Sequence, residues 1–320
     1  LSLNLKKKDK VLTSPISFLA SANCVEYVGA KVEFCDINKE TYTIDPEKIE
    51  IKLKKDKNIK VIIVVDYAGH PADWKKLYYL KKKYNLILVN DNCHAVGSKI
   101  KNNPAYAVKY ADIVTQSFHP VKHITTGEGG AVITNNKKIY QKIKILRNHG
   151  IERKKKDLNN NGTWFYKMNE LGFNYRISDI NCALGVSQLK SVKKFIKKRR
   201  SIARTYNKLL NKIPNIIIPK EKKNFYHTYH LYPILIDFKK NKINRKKFFE
   251  KMKQAGFILQ VHYIPIYHQP YYKKKYGYKK EMFPYSENFY SQEVSLPIYY
   301  LLKQRDQIRL VKTMKKILEI

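Results

Sequence analysis

Six short runs rich in Val and Ile punctuate the first part of the chain: "KVLTSP" (10–15), "KVEFCDI" (31–37), "VIIVVDY" (61–67), "LILVND" (86–91), "ADIVTQSF" (111–118) and "GAVITNN" (130–136). Runs of this length and composition predict strands. Helical patterns fit between several of them. "DPEKIEIKLKK" (45–55) opens with Asp45 and Pro46, a helix-start pair, and "ADWKKLYYLKKKY" (72–84) carries its apolar residues at helical spacing. Strands and helices in alternation predict an α/β fold with a mostly parallel sheet covered on both faces.

In such a sheet ligands bind beyond the carboxyl ends of the strands, which directs attention to the polar residues that follow each run. Three stretches qualify: "DYAGHP" (66–71), "DNCHA" (91–95) and "SFHPVK" (117–122). Residues 151–163, "IERKKKDLNNNGT", read as an exposed loop, being polar and rich in Asn. From a cap at Ser178 a long helical pattern runs to about residue 211, long enough to connect two domains. The rest reads as a smaller α/β unit, with "HLYPILID" as a strand, "NRKKFFEKMKQAG" as a helix closed by Gly256, and "LLKQRDQIRLVKTMKKIL" as a terminal amphipathic helix. The expected division is therefore 1–211 and 212–320.

The formal net charge of +38 raises the question of nucleic acid or an acidic membrane surface. Its lysines lie in short runs along the whole length, without zinc-finger spacing or interleaved aromatics and glycines, so they read as solvated faces. Weak nonspecific binding of polyanions follows from charge, and no specific nucleic-acid partner is expected. Cys24, Cys35, Cys93 and Cys182 stand far apart, which suggests neither a disulfide framework nor a zinc site and fits a reducing cytoplasm. No run approaches the ~18 consecutive apolar residues of a membrane span.

The three strand-end stretches hold the parts that Schiff-base chemistry needs: an amine able to be neutral, a carboxylate to face a ring nitrogen, and small polar groups for a phosphate. Asp91 can keep a pyridinium nitrogen protonated; it can equally cap a helix. His94 can stack on or hydrogen-bond to the same ring, or be structural. Ser117 can donate to a phosphate oxygen while Lys122, across a turn made by Pro120, reaches an aldehyde carbon. "TTGEGG" (125–130) supplies glycines for a tight return into the next strand. It is not a Walker loop, because G-x-x-x-x-G-K-[ST] occurs nowhere in the chain.

"DNCHAVGS", "SFHPVKHITTGEGGAVITNN", "LRNHGI", "GTWFYKMNELGFNYRISDINCALGVSQL" and "VHYIPIYHQPYY", in this order, resemble the sugar-nucleotide aminotransferases of the DegT/StrS type. The resemblance runs over nearly the whole chain. It implies a pyridoxal 5'-phosphate enzyme of transferase fold type I, working as a homodimer with shared active sites. Lys122 matches the catalytic lysine that holds the cofactor, Asp91 the partner of the pyridine nitrogen, His94 the position flanking the ring, and Ser117 a phosphate ligand. Phe18, in "SPISFLASAN", matches an aromatic residue stacked on the cofactor, and Asn174, in "GFNYR", an asparagine that reaches the phosphate of the neighbouring subunit's cofactor. No metal is implied.

Within the family, the stretch from Gly162 and that from Val261 are most similar to members that aminate a UDP-linked 4-keto-6-deoxy-N-acetylhexosamine for pseudaminic acid synthesis, with glutamate as donor and 2-oxoglutarate as product. "QVHYIP" resembles the segment that contacts the nucleotide sugar, which assigns Gln260, Val261, His262 and Tyr263 to the substrate; a strand end with an aromatic turn is the plainer alternative. Another nucleotide 4-keto sugar, or an inactive aminotransferase-like chain, are the alternatives for function. The family's Gly-Thr-x-Ala-type helix start, a phosphate site, has no equivalent here, which leads to the expectation of an N-terminally truncated chain.

Overall fold

The computed structural model describes all residues, Leu1–Ile320. In chain order its first part comprises β1 (Lys10–Thr13), α1 (Ala20–Tyr27), β2 (Lys31–Phe34), α2 (Pro46–Lys55), β3 (Ile59–Val65), α3 (Trp74–Tyr84), β4 (Ile87–Asp91), β5 (Ile113–Ser117) and β6 (Gly130–Ile133). The six strands form one sheet in the order β2-β1-β3-β4-β5-β6. All neighbours run parallel except β6, which returns antiparallel along β5. Each of the six runs that the sequence marks as a strand in this part of the chain lies in this sheet.

Successive residues of a strand face opposite sides, and both sides here are covered. Ile62 and Val64 of β3 face Ile49 and Leu53 of α2 and Trp74, Leu77 and Leu80 of α3, whereas Val61 and Ile63 join Ala22 and Val25 of α1 on the other side. Full burial of one such aliphatic side chain contributes about 1.5–3 kcal/mol. The second side is finished by Ile266, Tyr267, Tyr272 and Phe283, late residues that fold back onto the first sheet. Asp45 caps α2, its carboxylate accepting from Glu47 N at 2.9 Å with Pro46 in the first turn, and Asp73 caps α3.

A long helix, α4 (Asp179–Leu210), starts at Ser178, whose side chain accepts from Asn181 N. Its C-terminal half buries Ile202, Ala203, Tyr206 and Leu210 in a separate core, built on a small antiparallel sheet of β7 (Ile216–Ile217), β8 (Tyr232–Ile236) and β9 (Glu293–Leu296) and on α5 (Arg245–Gln254) and α6 (Gln304–Leu318). Residues 151–163 differ from the expected loop in forming a short helix, Lys155–Asn161, that buries none of its residues. Its solvated side chains match the polar composition, and only the local backbone bonding was missed.

One buried carboxylate organises the strand ends. Asp66, one residue beyond β3, accepts from Ala72 N (2.7 Å), Trp74 Nε1 (2.9 Å), Asn90 Nδ2 (3.1 Å), Asn92 Nδ2 (2.8 Å) and the Tyr106 hydroxyl (2.7 Å). Burial pushes its carboxyl upward, opposed by Tyr106, Ala72, Trp74 and Asn90. Because all five partners present hydrogens, the site is built for the ionised form. An Asp66→Asn variant turns one acceptor into a donor facing donors, and it is expected to lose roughly 3 kcal/mol in urea unfolding. A loss under ~1 kcal/mol contradicts this reading.

Candidate active site

The carboxyl ends of β4 and β5 lie side by side, with Asp91 paired to Thr115. Asp91 closes β4. Its Oδ2 accepts from the Ser21 hydroxyl at 2.7 Å, and its Oδ1 from Cys93 N at 3.3 Å. Ser21 is itself hydrogen-bonded to Ser17 at 2.9 Å, so the start of α1 is tied to the end of β4.

Ser117 closes β5, and the chain then makes a compact loop. Phe118 N donates to Gly129 O (2.9 Å) and Thr126 N to Phe118 O (3.0 Å), while Lys122 N donates to His119 O (2.9 Å) in the turn that carries the lysine. The half-buried Lys122 has its ammonium pK pulled down by desolvation, against the stabilising influence of Cys93 and Asp91. Its amine is therefore more readily neutral than a surface lysine's. Ser117 Oγ accepts from His119 N at 3.4 Å, leaving its hydroxyl hydrogen without an acceptor in the chain.

An aromatic wall stands beside these groups. His94, buried, stacks at 26° on Tyr263 with ring centroids 6.2 Å apart, and its Nε2 lies 3.3 Å from the Tyr263 hydroxyl. Phe18, 59% exposed, sits 6.2 Å from the same tyrosine. His262 is held on every side but one: its N donates to Glu293 Oε2 (2.9 Å), its O accepts from the Tyr67 hydroxyl, and its Nδ1 lies 2.8 Å from Ser295 Oγ. Gln260 O accepts from Ser295 N at 2.9 Å, its side chain exposed, and Val261 is half-buried.

The sequence profile of the DegT/DnrJ/EryC1/StrS aminotransferase family matches residues 1–315. This chain belongs to that family. It is 42% identical over 310 residues to the UDP-4-amino-4,6-dideoxy-N-acetyl-beta-L-altrosamine transaminase of Campylobacter jejuni, covering 97% of this chain and 79% of the relative. The solved structure of Helicobacter pylori PseC, an aminotransferase involved in pseudoaminic acid biosynthesis, superposes with a TM-score of 0.88 at 32% identity, covering 98% of this chain and 80% of that one. The sugar aminotransferase Spr1654 of Streptococcus pneumoniae in its PLP form gives 0.86 at 25% identity, covering 98% and 81%. The chain is accordingly a pyridoxal-phosphate-dependent sugar aminotransferase with the α/β fold of that enzyme class.

The side chains of this aminotransferase fit its cofactor. A ring nitrogen calls for a carboxylate, an aldehyde for an amine that can be uncharged, a flat ring for aromatic cover, and a phosphate for hydroxyl donors. Asp91, the desolvated Lys122, the exposed ring of Phe18 and the free hydroxyl hydrogen of Ser117 meet these needs in turn. Asn174 stands apart from them. It is exposed and paired with Asn148 in a clasp between "LRNHGI" and "ELGFNY", where His149 N donates to Phe173 O at 2.8 Å. Gly150 in that clasp has φ +74, and a Cβ there would meet Glu170 O at 1.7 Å, so only glycine permits the approach.

Sequence reasoning missed Ser21, His230, Glu293 and Ser295, and gave no role to Tyr67 or His123, although the first stands in "DYAGHP" and the second directly after Lys122. One signal was readable: an acid inside the apolar "EVSLP" run, Glu293, is buried as part of β9. A second is histidine usage, since His70, His94, His123, His227 and His230 are all buried. His230 lies between His94 and His123, with centroids 4.3 and 5.4 Å away, and Nδ1 of all three lacks a partner. Desolvation pulls His70 down to about 4 and His123 to about 3, and holds His94, His227 and His230 well below their ordinary 6.5. Lys122 adds to the effect on His94, His123 and His230.

These rings are neutral in the folded chain, whereas the unfolded chain takes up protons below pH 6.5. Their contribution is thus complete above 6.5 and lost as the pH falls toward their folded values, by up to ~1.4 kcal/mol per pH unit for each histidine. Urea midpoints are expected to fall steeply between pH 6.5 and 4, and less steeply in a His123→Gln variant. Equal slopes in the two proteins contradict the assignment.

Proposed function

We propose that the chain transfers the amino group of glutamate to C4 of a UDP-linked 4-keto-6-deoxy-N-acetylhexosamine, releasing 2-oxoglutarate, as a step toward pseudaminic acid or a related surface glycan. The observation that carries the reading is a desolvated, readily neutral Lys122 beside Asp91 at the carboxyl ends of two parallel strands. The name of the Campylobacter relative supports the sugar, and that of PseC the pathway. Bound pyridoxal phosphate supplies an electron sink and carries the amino group between the two substrates.

In this reading Asp91 holds the ring nitrogen protonated, with Ser21 fixing its carboxylate, and His94 and Phe18 flank the ring. Ser117 donates to the phosphate. Lys122 Nζ removes the proton from Cα of glutamate and later delivers one to C4 of the sugar, acting as base and then as acid. Gln260, Val261, His262 and Tyr263 bound the nucleotide-sugar side. All four cysteines are unpaired, which suits a reducing cytoplasm.

Two subunits complete each site in this account, with Asn174 reaching the partner's phosphate. Its support is the set of large apolar side chains left exposed on either side of Asn174 in the chain, Trp164, Leu171, Tyr175, Ile180 and Leu184. So many exposed in one short segment suit a surface that a second subunit covers. An Ile180→Asp, Leu184→Asp variant is expected to sediment as a monomer where the parent sediments as a dimer; a monomeric parent overturns the shared site.

Lys122 has the most direct test. After incubation with pyridoxal phosphate and borohydride reduction, the parent gains the mass of the reduced cofactor on the peptide containing Lys122. A Lys122→Ala variant gains none and loses at least ~100-fold in kcat with the keto sugar. Equal labelling of the variant refutes the assignment.

A further inference from the structure

Glu293 has no solvent exposure, yet it lies on β9 directly behind the stretch assigned above to the nucleotide sugar. Its Oε1 is 2.6 Å from Ser295 Oγ, and Ser295 Oγ is 2.8 Å from His262 Nδ1. Its Oε2 accepts from His262 N at 2.9 Å, which fixes the carboxyl in one orientation. His262 Nε2 makes no hydrogen bond within the chain and is not sealed from solvent. The three side chains thus form a line from a buried acid to an open ring nitrogen.

Each link in that line has room for one hydrogen. With Glu293 ionised, the Ser295 hydroxyl donates to the carboxylate and must accept from His262 Nδ1–H, so Nε2 is left bare. With Glu293 protonated, its hydroxyl donates to Ser295 Oγ and the serine donates to Nδ1. Nε2 then carries the hydrogen.

We propose that Glu293, acting through Ser295, is a positioning residue that sets which nitrogen of His262 bears the proton, so that Nε2 meets the sugar nucleotide as a donor or as an acceptor. The proposal rests on the reading that residues 260–263 face the nucleotide sugar. Burial raises the Glu293 carboxyl to about 8, opposed by Ser295, His262 N and Arg245, while Tyr42, Tyr67 and Tyr263 also face it. His262 itself is pushed down to about 4 by burial and by Lys122, so it stays neutral and only its tautomer changes. The donor form, which suits a diphosphate or hydroxyl oxygen, therefore prevails at pH 7 and gives way as the pH rises through about 8.

The Glu293→Gln variant separates this role from plain packing. His262 N–H still requires an acceptor, so the amide places its oxygen there and its NH2 toward Ser295, which locks Nε2 in the donor form. In histidine-labelled protein loaded with pyridoxal phosphate, 15N NMR is expected to show His262 passing from Nε2–H to Nδ1–H between pH 7 and 9. The Glu293→Gln chain stays Nε2–H throughout, and in Ser295→Ala the tautomer no longer follows pH. In parallel, KM for the UDP-keto sugar rises about tenfold over this range in the parent, as a charge-assisted hydrogen bond is lost, and stays within about twofold in Glu293→Gln.

A His262 tautomer that is the same at pH 7 and 9, and unchanged in a folded Glu293→Gln chain, overturns the proposal even if the enzyme turns over. A tautomer that follows Glu293 in a chain that binds no sugar nucleotide upholds the relay and refutes the functional reading instead.

Discussion

The five hydrogen bonds received by Asp66 are the constraint on which the strand ends depend. They join the end of β3 to the start of α3 and, through Asn90 and Asn92, to the residues on either side of Asp91. A carboxylate in that position is costly to bury and becomes favourable only when all of its partners are in place. It therefore selects one arrangement of the loop after β4. That arrangement aims Asp91 at Ser21, and two residues beyond Asn92 it sends His94 to Tyr263.

The chemistry depends on a contrast between two neighbouring environments. Around Asp66 the donors are numerous and the charge is fully coordinated. Around Lys122 they are scarce: His94, His123 and His230 are buried without charge and offer no compensation. The ammonium form of Lys122 gains help only from Asp91 and Cys93, and desolvation outweighs it. A lysine so placed gives up its proton more readily than the same residue on one of the chain's many solvated faces, and is the better nucleophile and base for it.

Much of this was legible in the sequence, for physical reasons. The six strands were readable because a sheet buried on both faces demands continuous Val and Ile, α2 and α4 because Asp45 and Ser178 stand where a cap is required, and α3 because its apolar residues recur at helical spacing. Asp91, Ser117 and Lys122 were readable because strand ends are where a parallel sheet binds ligands. "DYAGHP" attracted suspicion by the same rule, and Asp66 within it turned out to serve its neighbours. Residues joined across long separations were not legible. Ser21 to Asp91 spans 70 positions and Tyr67 to His262 spans 195, and no local pattern encodes either. Nor did any periodicity announce that Ile266 to Phe283 returns to cover the first sheet.

A site of this kind passes an amino group between two substrates in separate half-reactions. The most direct test is a single-turnover measurement on protein loaded with pyridoxal phosphate and given glutamate alone. A burst of 2-oxoglutarate equal to the number of loaded chains is expected, stopping until the UDP-linked keto sugar is added. No release of 2-oxoglutarate, or a steady release that never needs the sugar, would contradict it.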